Sequence, residues 1–573
     1  MHGRLKIKTT AEQAAEKQKE REQKRKLYLG GITQAFAKRT SSIHDEEGLK
    51  ITAQLLTANP DAATLWNFRR EILLAMKEEL DEEKWSMKLL GEMGVVESCL
   101  GKNHKSYGAW HHRAWVMNTH PAPPWNDELK LCNKYLKMDE RNFHCWDYRR
   151  FVVVGSKQGP EEELQFTRQL IEHNMSNYSA WHYRSKLLPL VHPPPPSTPH
   201  PISEAALIKE LQTVVEAVFT DPSDQSPWFF LRWLVNRQEP SPRLVQVGYI
   251  EHPGAGDRSA GQVIVVFSGA VGTVELPGVA VDRLKAEGLV WTSPGGHRYS
   301  NVWHTELYLP NDSEHHTLTI KCDSAPERTL AVGCGVRRAV EWVGGVEAGS
   351  EELTDTARST LEEVRENCST LDELDPDNKW VLITLVDVLW ALDPRSHQRR
   401  IHHHLSQLQH LDPLRATYYG DTKSKLAMET SLEHHRIEAS ADAQGGEAGR
   451  SFSMLGRSLT RVTSAHLLAN AERVNLANNE LRSVAPLSSL IACQELVLDG
   501  NKISDLTPLT TLSSLTKLSL AGNKIKSVSQ VTALTQLKNL ESLNLKGNPV
   551  CEDEEATKEI METLGNLKEL VLR

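Results

Sequence analysis

The chain has 573 residues, 66 of them basic and 75 acidic, with a formal net charge of −9. That length is too great for one hydrophobic core and implies two to four domains. The acidic balance argues against a nucleic-acid-binding protein, and eight scattered cysteines without a CxxC pair fit a reducing compartment better than a disulfide framework. The opening residues MHGRLKIKTT lack the apolar core of a signal peptide. The strongest apolar run, 381–392, contains Asp387 and is too short to cross a bilayer. The expectation is a soluble, cytoplasmic protein with no stable membrane insertion.

Residues 10–28 are rich in Ala, Glu, Lys and Gln, which predicts a solvated first helix. His2 precedes it on a basic arm. From residue 49 to 235 one unit recurs, centred on Trp66, Trp110, Trp146, Trp181 and Trp228. Seven positions before each Trp stands Asn59, Asn103, Asp139, Asn174 or Asp221. Three positions after the first four stand Arg69, Arg113, Arg149 and Arg184; in the fifth copy the arginine slips to Arg232. Apolar pairs follow six and seven positions after, as in Val116/Met117. The Trp and this pair share one helical stripe. Ser106, Asn142, Asn177 and Asp224, four before their Trp, are placed to cap the same helix. A second helical pattern precedes each turn, so every unit reads as a helix hairpin that stacks on its neighbours. The Trp spacings are 44, 36, 35 and 47. The Pro-rich stretch 191–201 accounts for the last.

Helical period disappears at 240–349. Strands are expected at 262–267, 289–292, 302–309 and 316–322, forming an immunoglobulin-like β-sandwich insert. Two degenerate helical units resume over 350–436, which makes the sandwich an interruption of the helical array. A linker is expected at 437–453. Beyond it LANNEL, LDGNKI, LAGNKI and LKGNPV place Asn479, Asn501, Asn523 and Asn548 at steps of 22, 22 and 25. This is a leucine-rich repeat, expected to offer a concave binding face and no chemistry. The fold class is therefore mainly α: a superhelix of stacked hairpins (1–239 and 350–436) with an inserted β-sandwich (240–349) and leucine-rich repeats after a linker (437–573).

The unit with Asn/Asp, an aromatic and W-x-x-R resembles the repeat of protein prenyltransferase α subunits over roughly residues 40–240 and weakly over 350–430. A member carrying both a sandwich insert and leucine-rich repeats resembles the Rab geranylgeranyltransferase branch of that family, as does the start MHGRLKIKT. The resemblance implies a heterodimer. A prenyltransferase β subunit holds zinc and the isoprenoid pocket. The pair transfers geranylgeranyl from geranylgeranyl diphosphate to C-terminal cysteines of Rab GTPases presented by a Rab escort protein. No zinc ligand set is expected in this chain, and the run His402–His404 reads as solvated surface.

Carried over by motif, the α-subunit residues that stabilise the departing diphosphate are Lys105 and Tyr107. Lys105 is the only Lys five positions before a repeat Trp; Asp61, Arg141, Ser176 and Ser223 hold that place elsewhere. It reads either as a solvated charge or as a diphosphate ligand, and the resemblance favours the second. Phe143 and Tyr178 occupy the Tyr107 position, so a ring there also suits packing and only the hydroxyl would act. Arg141 and His144 are further candidate diphosphate contacts. His2 is a candidate regulatory ligand to the partner's zinc, set against the reading of an unstructured terminus. The competing class of function is a non-catalytic helical and leucine-rich adaptor, which has no need of Lys105-Ser106-Tyr107.

Overall fold

A computed structural model describes residues 11–195, 200–236, 242–252, 258–272, 278–281, 289–310, 315–322, 325–333, 338–343, 354–441 and 448–572. Two units divide the chain, Met1–Pro193 and Pro194–Arg573. The first opens with α1 (Ala11–Thr40) and continues as hairpins: α2 (Glu46–Ala58) with α3 (Ala63–Lys77), α4 (Glu82–Lys102) with α5 (Tyr107–Thr119), α6 (Trp125–Met138) with α7 (Phe143–Ser156), and α8 (Pro160–His173) with α9 (Tyr178–Val191). The second opens on a fifth hairpin, α10 (Glu204–Thr220) with α11 (Gln225–Val235).

Each turn is built the same way. The Asn or Asp seven before the Trp ends the first helix, and its Oδ1 accepts the backbone N–H two residues on, at 3.0–3.3 Å in all five copies. The indole N–H of each Trp donates to the carbonyl six residues earlier, at 2.8–2.9 Å. Ser106, Asn142, Asn177 and Asp224 cap their helices. The buried indole is thus tied to its own turn, and packing and capping enforce one geometry.

The repeat arginines join neighbouring hairpins. Arg113 on α5 forks onto Glu128 of α6 with two bonds of 2.6 Å and donates to the Met93 carbonyl of α4 at 3.0 Å. Arg69 does the same to Glu92 and the Leu49 carbonyl, and Arg149 to Glu163 and Asn133. These pairs are almost fully buried. The acids lie 18 positions before the next Trp, and Glu210 holds that place in the fifth copy. This column is readable in the sequence, once each arginine is sought a partner in the following unit.

In the second unit, β1 (Leu244–His252), β2 (Arg258–Gly272), β3 (Gly278–Val281), β4 (Tyr299–Pro310), β5 (His315–Cys322), β6 (Ala325–Gly333) and β7 (Arg338–Trp342) form two antiparallel sheets, β4-β2-β1-β7 and β3-β5-β6. Val247, Tyr249, Val263 and Val265 of the first share a core with Leu318, Ile320 and Leu330 of the second. Helices then resume as α12 (Asp355–Leu374) with α13 (Lys379–Leu392), and α14 (Gln398–Leu411) with α15 (Ala416–Ala441). Arg232 of α11 pairs with Asp387 of α13 at 2.5 Å, and Asn378 donates to the Pro222 carbonyl at 3.1 Å. The hairpins on either side of the β insert therefore pack directly together, and the charge that breaks the 381–392 apolar run serves this junction.

Six short parallel strands complete the unit: β8 (Ser451–Ser453), β9 (Arg473–Asn475), β10 (Glu495–Val497), β11 (Lys517–Ser519), β12 (Ser542–Asn544) and β13 (Glu569–Val571). An amide ladder backs them. The side-chain amide of Asn501 donates to the Leu476 and Leu498 carbonyls and its Oδ1 accepts from Leu481 N–H, all near 3.0 Å. Asn479, Asn523 and Asn548 repeat the pattern.

Four expectations change. The 289–292 segment is no strand: Thr292 makes one isolated bridge to His304. β1, β3, β6 and β7 stand where no strand was expected. In the 437–453 stretch, helix α15 continues to Ala441 and β8 already belongs to the leucine-rich sheet, because His435 of α15 meets the Phe452 ring edge-on at 5.6 Å. Finally, His404 is not solvated: it lies on the buried stripe of α14 with Ile401, Leu405 and Leu408, and its Nδ1 is 3.2 Å from Gln407 Oε1.

Candidate functional site

The turns of the first unit stand side by side along one edge. Asn103 Nδ2 donates to Asp61 Oδ2 at 3.0 Å, Asn142 Nδ2 to the His104 carbonyl at 2.8 Å, and Asn174 Nδ2 to Glu140 Oε2 at 2.6 Å. Lys105 and Arg141 occupy adjacent turns on this ladder, each directly before the cap of α5 or α7. Gly108 permits the close approach, since a Cβ there would sit 2.6 Å from the Trp66 ring. The edge carries one ammonium, one guanidinium and the positive ends of two helices, together with the carboxylates of Asp61, Asp139 and Glu140.

Lys105 is exposed, and its Nζ lies 2.8 Å from Asp139 Oδ2. Burial alone would raise the Asp139 carboxyl, but Lys105 and the Arg141 backbone N–H outweigh it and hold it below the usual carboxylate range. His104 Nε2 stands 3.6 Å from the same carboxylate. Arg141 is exposed and donates from Nη2 to the Ser176 carbonyl at 3.2 Å.

Tyr107 is the first residue of α5. The residue is 70% exposed, and its hydroxyl makes no hydrogen bond among the described residues. The ring meets His144 edge-on at 4.1 Å and Phe143 at 5.9 Å. Such exposure weakens the packing explanation for an aromatic here. His144 lies under these rings, and burial lowers its pKa while Asp147 opposes the shift. The structure thus brings Lys105, Tyr107, Arg141 and His144 to one edge. His2 falls outside the described residues. Asp139 was missed from the sequence because its column also holds the turn-forming Asn of three other copies; the negative charge opposite the one Lys was the available signal. Among the described residues no group of three or more His, Cys, Asp or Glu is placed to hold a metal ion, and no helix is long and apolar enough to cross a membrane.

The model of the protein prenyltransferase alpha subunit repeat matches residues 45–76, 89–120, 125–154, 160–190 and 207–238, and a leucine-rich-repeat model matches 513–555. The geranylgeranyl transferase type-2 subunit alpha of Mus musculus is 39% identical over 510 residues, 87% of each chain. That of Bos taurus is 37% identical over 587 residues and covers both chains fully. The chain belongs to the geranylgeranyl transferase type-2 subunit alpha family. The subunit of the same name from Saccharomyces cerevisiae is 33% identical over 248 residues, 41% of this chain and 72% of its own. Membership in this family makes the protein the α subunit of a transferase, and the free-adaptor reading is not favoured. The hairpins, the separate β-sheet region and the leucine-rich repeats all belong to one prenyltransferase α chain.

Proposed function

We propose that this chain pairs with a prenyltransferase β subunit along the turn edge of its hairpins. The heterodimer transfers geranylgeranyl from geranylgeranyl diphosphate to C-terminal cysteines of Rab GTPases presented by a Rab escort protein. The observation that carries this reading is Lys105: the one Lys in its column, exposed beside two helix N-termini on a family-defining repeat.

In the reaction a cysteine sulfur bonds to the allylic carbon, the carbon–oxygen bond breaks, and diphosphate leaves with the electron pair. Zinc in the β subunit would supply the thiolate at neutral pH. This chain's part is electrostatic. The leaving group gains charge as the bond breaks, so a cation fixed beside it favours the transition state over the ground state. Asp139 holds the Lys105 ammonium between two turns, where an arriving diphosphate can draw it across. Tyr107 presents an unengaged hydroxyl from the same turn. Arg141 extends the positive edge, and His144 supports the Tyr107 ring from below. Co-expression with a β subunit tests the reading. A stable heterodimer that transfers geranylgeranyl to an escort-bound Rab is expected; absence of any heterodimer would overturn it.

A further inference from the structure

The Asp139 carboxylate has two basic side chains beside it and holds one of them. Its Oδ1 serves the turn, accepting the Arg141 backbone N–H at 3.1 Å. Its Oδ2 lies 2.8 Å from Lys105 Nζ and 3.6 Å from His104 Nε2, so both neighbours reach it from the α4–α5 turn. The Asp139 side chain is only 22% exposed. A carboxylate so placed needs a partner, because water cannot fully serve it. Burial pushes its carboxyl up, and Lys105 is the strongest opposing influence.

The fold does not require an imidazole at 104. The position six before each Trp supplies a carbonyl to the indole, and any residue can do that: Pro60, Glu140, Met175 and Pro222 hold it in the other copies. The His104 carbonyl plays this part, accepting from Trp110 Nε1 at 2.9 Å and from Asn142 Nδ2 at 2.8 Å. Its imidazole makes no hydrogen bond among the described residues and has Asp139 as its one ion-pair partner there. The other charged or titratable groups of the adjacent turns and of α7 are engaged elsewhere. Arg141 Nη2 donates to the Ser176 carbonyl, Glu140 accepts from Asn174, Asp61 accepts from Asn103, and His144 lies against the Tyr107 ring. His104 is therefore the group placed to replace Lys105 at Asp139.

We propose that His104 is a positioning residue for the transfer reaction: when Lys105 swings to the diphosphate, His104 takes a proton from solvent and replaces the ammonium at Asp139 Oδ2. The exchange rests on the functional reading above, in which Lys105 leaves Asp139 for the leaving group. A half-covered carboxylate that loses its ammonium favours the charged form of the nearest imidazole, and histidine is the side chain whose charge such a change moves near neutral pH. Asp139 then no longer pulls the ammonium back. His104 acts through Asp139 and does not touch the substrate. Diphosphate binding is thereby coupled to uptake of a proton, which strengthens affinity at low pH. That gain is lost as pH rises and the imidazole of the complex gives up its proton.

The test uses the full chain with its β subunit. Calorimetric titration with geranylgeranyl diphosphate near neutral pH, in two buffers of different ionisation enthalpy, counts the protons taken up. The ligand's own protonation is common to the unmodified and His104→Gln heterodimers, so their difference reports the imidazole. The unmodified heterodimer should take up more protons than His104→Gln, by a fraction of a proton. Its affinity should also fall about two- to tenfold further than that of His104→Gln as pH rises from about 6 to about 8. Asp139→Asn, which installs the residue that Asn59, Asn103 and Asn174 show the turn accepts, should abolish the excess with His104 still in place. Lys105→Ala should abolish it too, because Asp139 then has no ammonium to lose. Equal uptake by the unmodified and His104→Gln heterodimers overturns the proposal. So does an excess that survives Asp139→Asn, which would put the imidazole on the diphosphate itself. A chain that forms no heterodimer, or a heterodimer that binds no geranylgeranyl diphosphate, refutes the functional reading and the coupling with it.

Discussion

The two repeat arrays hold their units together with different chemistry. The hairpins use buried Arg–Glu forks between units, as in Arg113–Glu128. The leucine-rich repeats use neutral side-chain amides, as in Asn501 bridging the Leu476 and Leu498 carbonyls. Hairpins present helix faces whose backbone groups are already satisfied, so side-chain ions must reach across. Short strands separated by open turns present bare carbonyls and N–H groups, and an amide satisfies both. The consequence is functional. In the hairpin the frame occupies the −7, −4, 0 and +3 columns and leaves −5 free to vary, exposed at Asp61, Lys105, Arg141 and Ser223 and half-buried at Ser176. Lys105 and Arg141 occur there, at the mouth of a helix, where charge can act on a ligand without disturbing the fold.

The largest expected effect is at the junction of the two β regions. The outer face of the β4-β2-β1-β7 sheet carries Val245, Ile264, Val266 and Val302 into the leucine-rich core. Asn470 Nδ2 donates to Gln246 Oε1 at 2.8 Å, and Arg338 pairs with Glu472 at 2.9 Å. Removing the chain from Ala448 onward uncovers that face, at about 1.5–3 kcal/mol for each large apolar side chain. Such a heterodimer should bind a hydrophobic dye and aggregate; a monodisperse, dye-silent product would show that the sheet does not need its cover. Next, Arg113→Ala strands the Glu128 carboxylate and should cost about 3–5 kcal/mol, seen as a lower urea midpoint of the first unit. Arg113→Met with Glu128→Leu should recover most of it. If the single and double variants are equally unstable, the buried-charge explanation is wrong. Asn501→Ala should cost about 1–3 kcal/mol, with hydrogen exchange faster at β9 to β11 and unchanged in α4 to α7; a global change would blur the contrast between the arrays. Smallest is Tyr107→Phe. It should slow transfer by about three- to tenfold, roughly one hydrogen bond, at unaltered heterodimer affinity. No slowing would leave the ring, not the hydroxyl, as the useful part.

The hairpin frame was legible because five copies repeat one register, and each copy corroborates the others. The acids at Glu92, Glu128 and Glu163 were equally regular, but they sit in the helix before the turn and pair with the copy before them. The strands were harder. β1, LVQVGYIEH, has both faces covered: Val247 and Tyr249 face the second sheet, while Gln246 and Gly248 approach Asn470, more than 200 residues away. Burial on both sides removes the polar–apolar alternation that marks a strand. The same remoteness hid the end of α15, whose cover is β8. At the site, Lys105 stood out as the exception in its column. Asp139 was in the repeat as a turn residue, but its pairing with Lys105, like the exposure of Tyr107, needed three dimensions.

The most direct test of the central claim is single-turnover geranylgeranyl transfer by a heterodimer carrying Lys105→Ala, with Lys102→Ala, one turn away at the end of α4, as control. The account predicts a rate at least about tenfold lower for Lys105→Ala, with heterodimer affinity and Lys102→Ala turnover unchanged. An undiminished rate, or a loss explained entirely by dissociation of the subunits, would return Lys105 to the ordinary surface charge of its column.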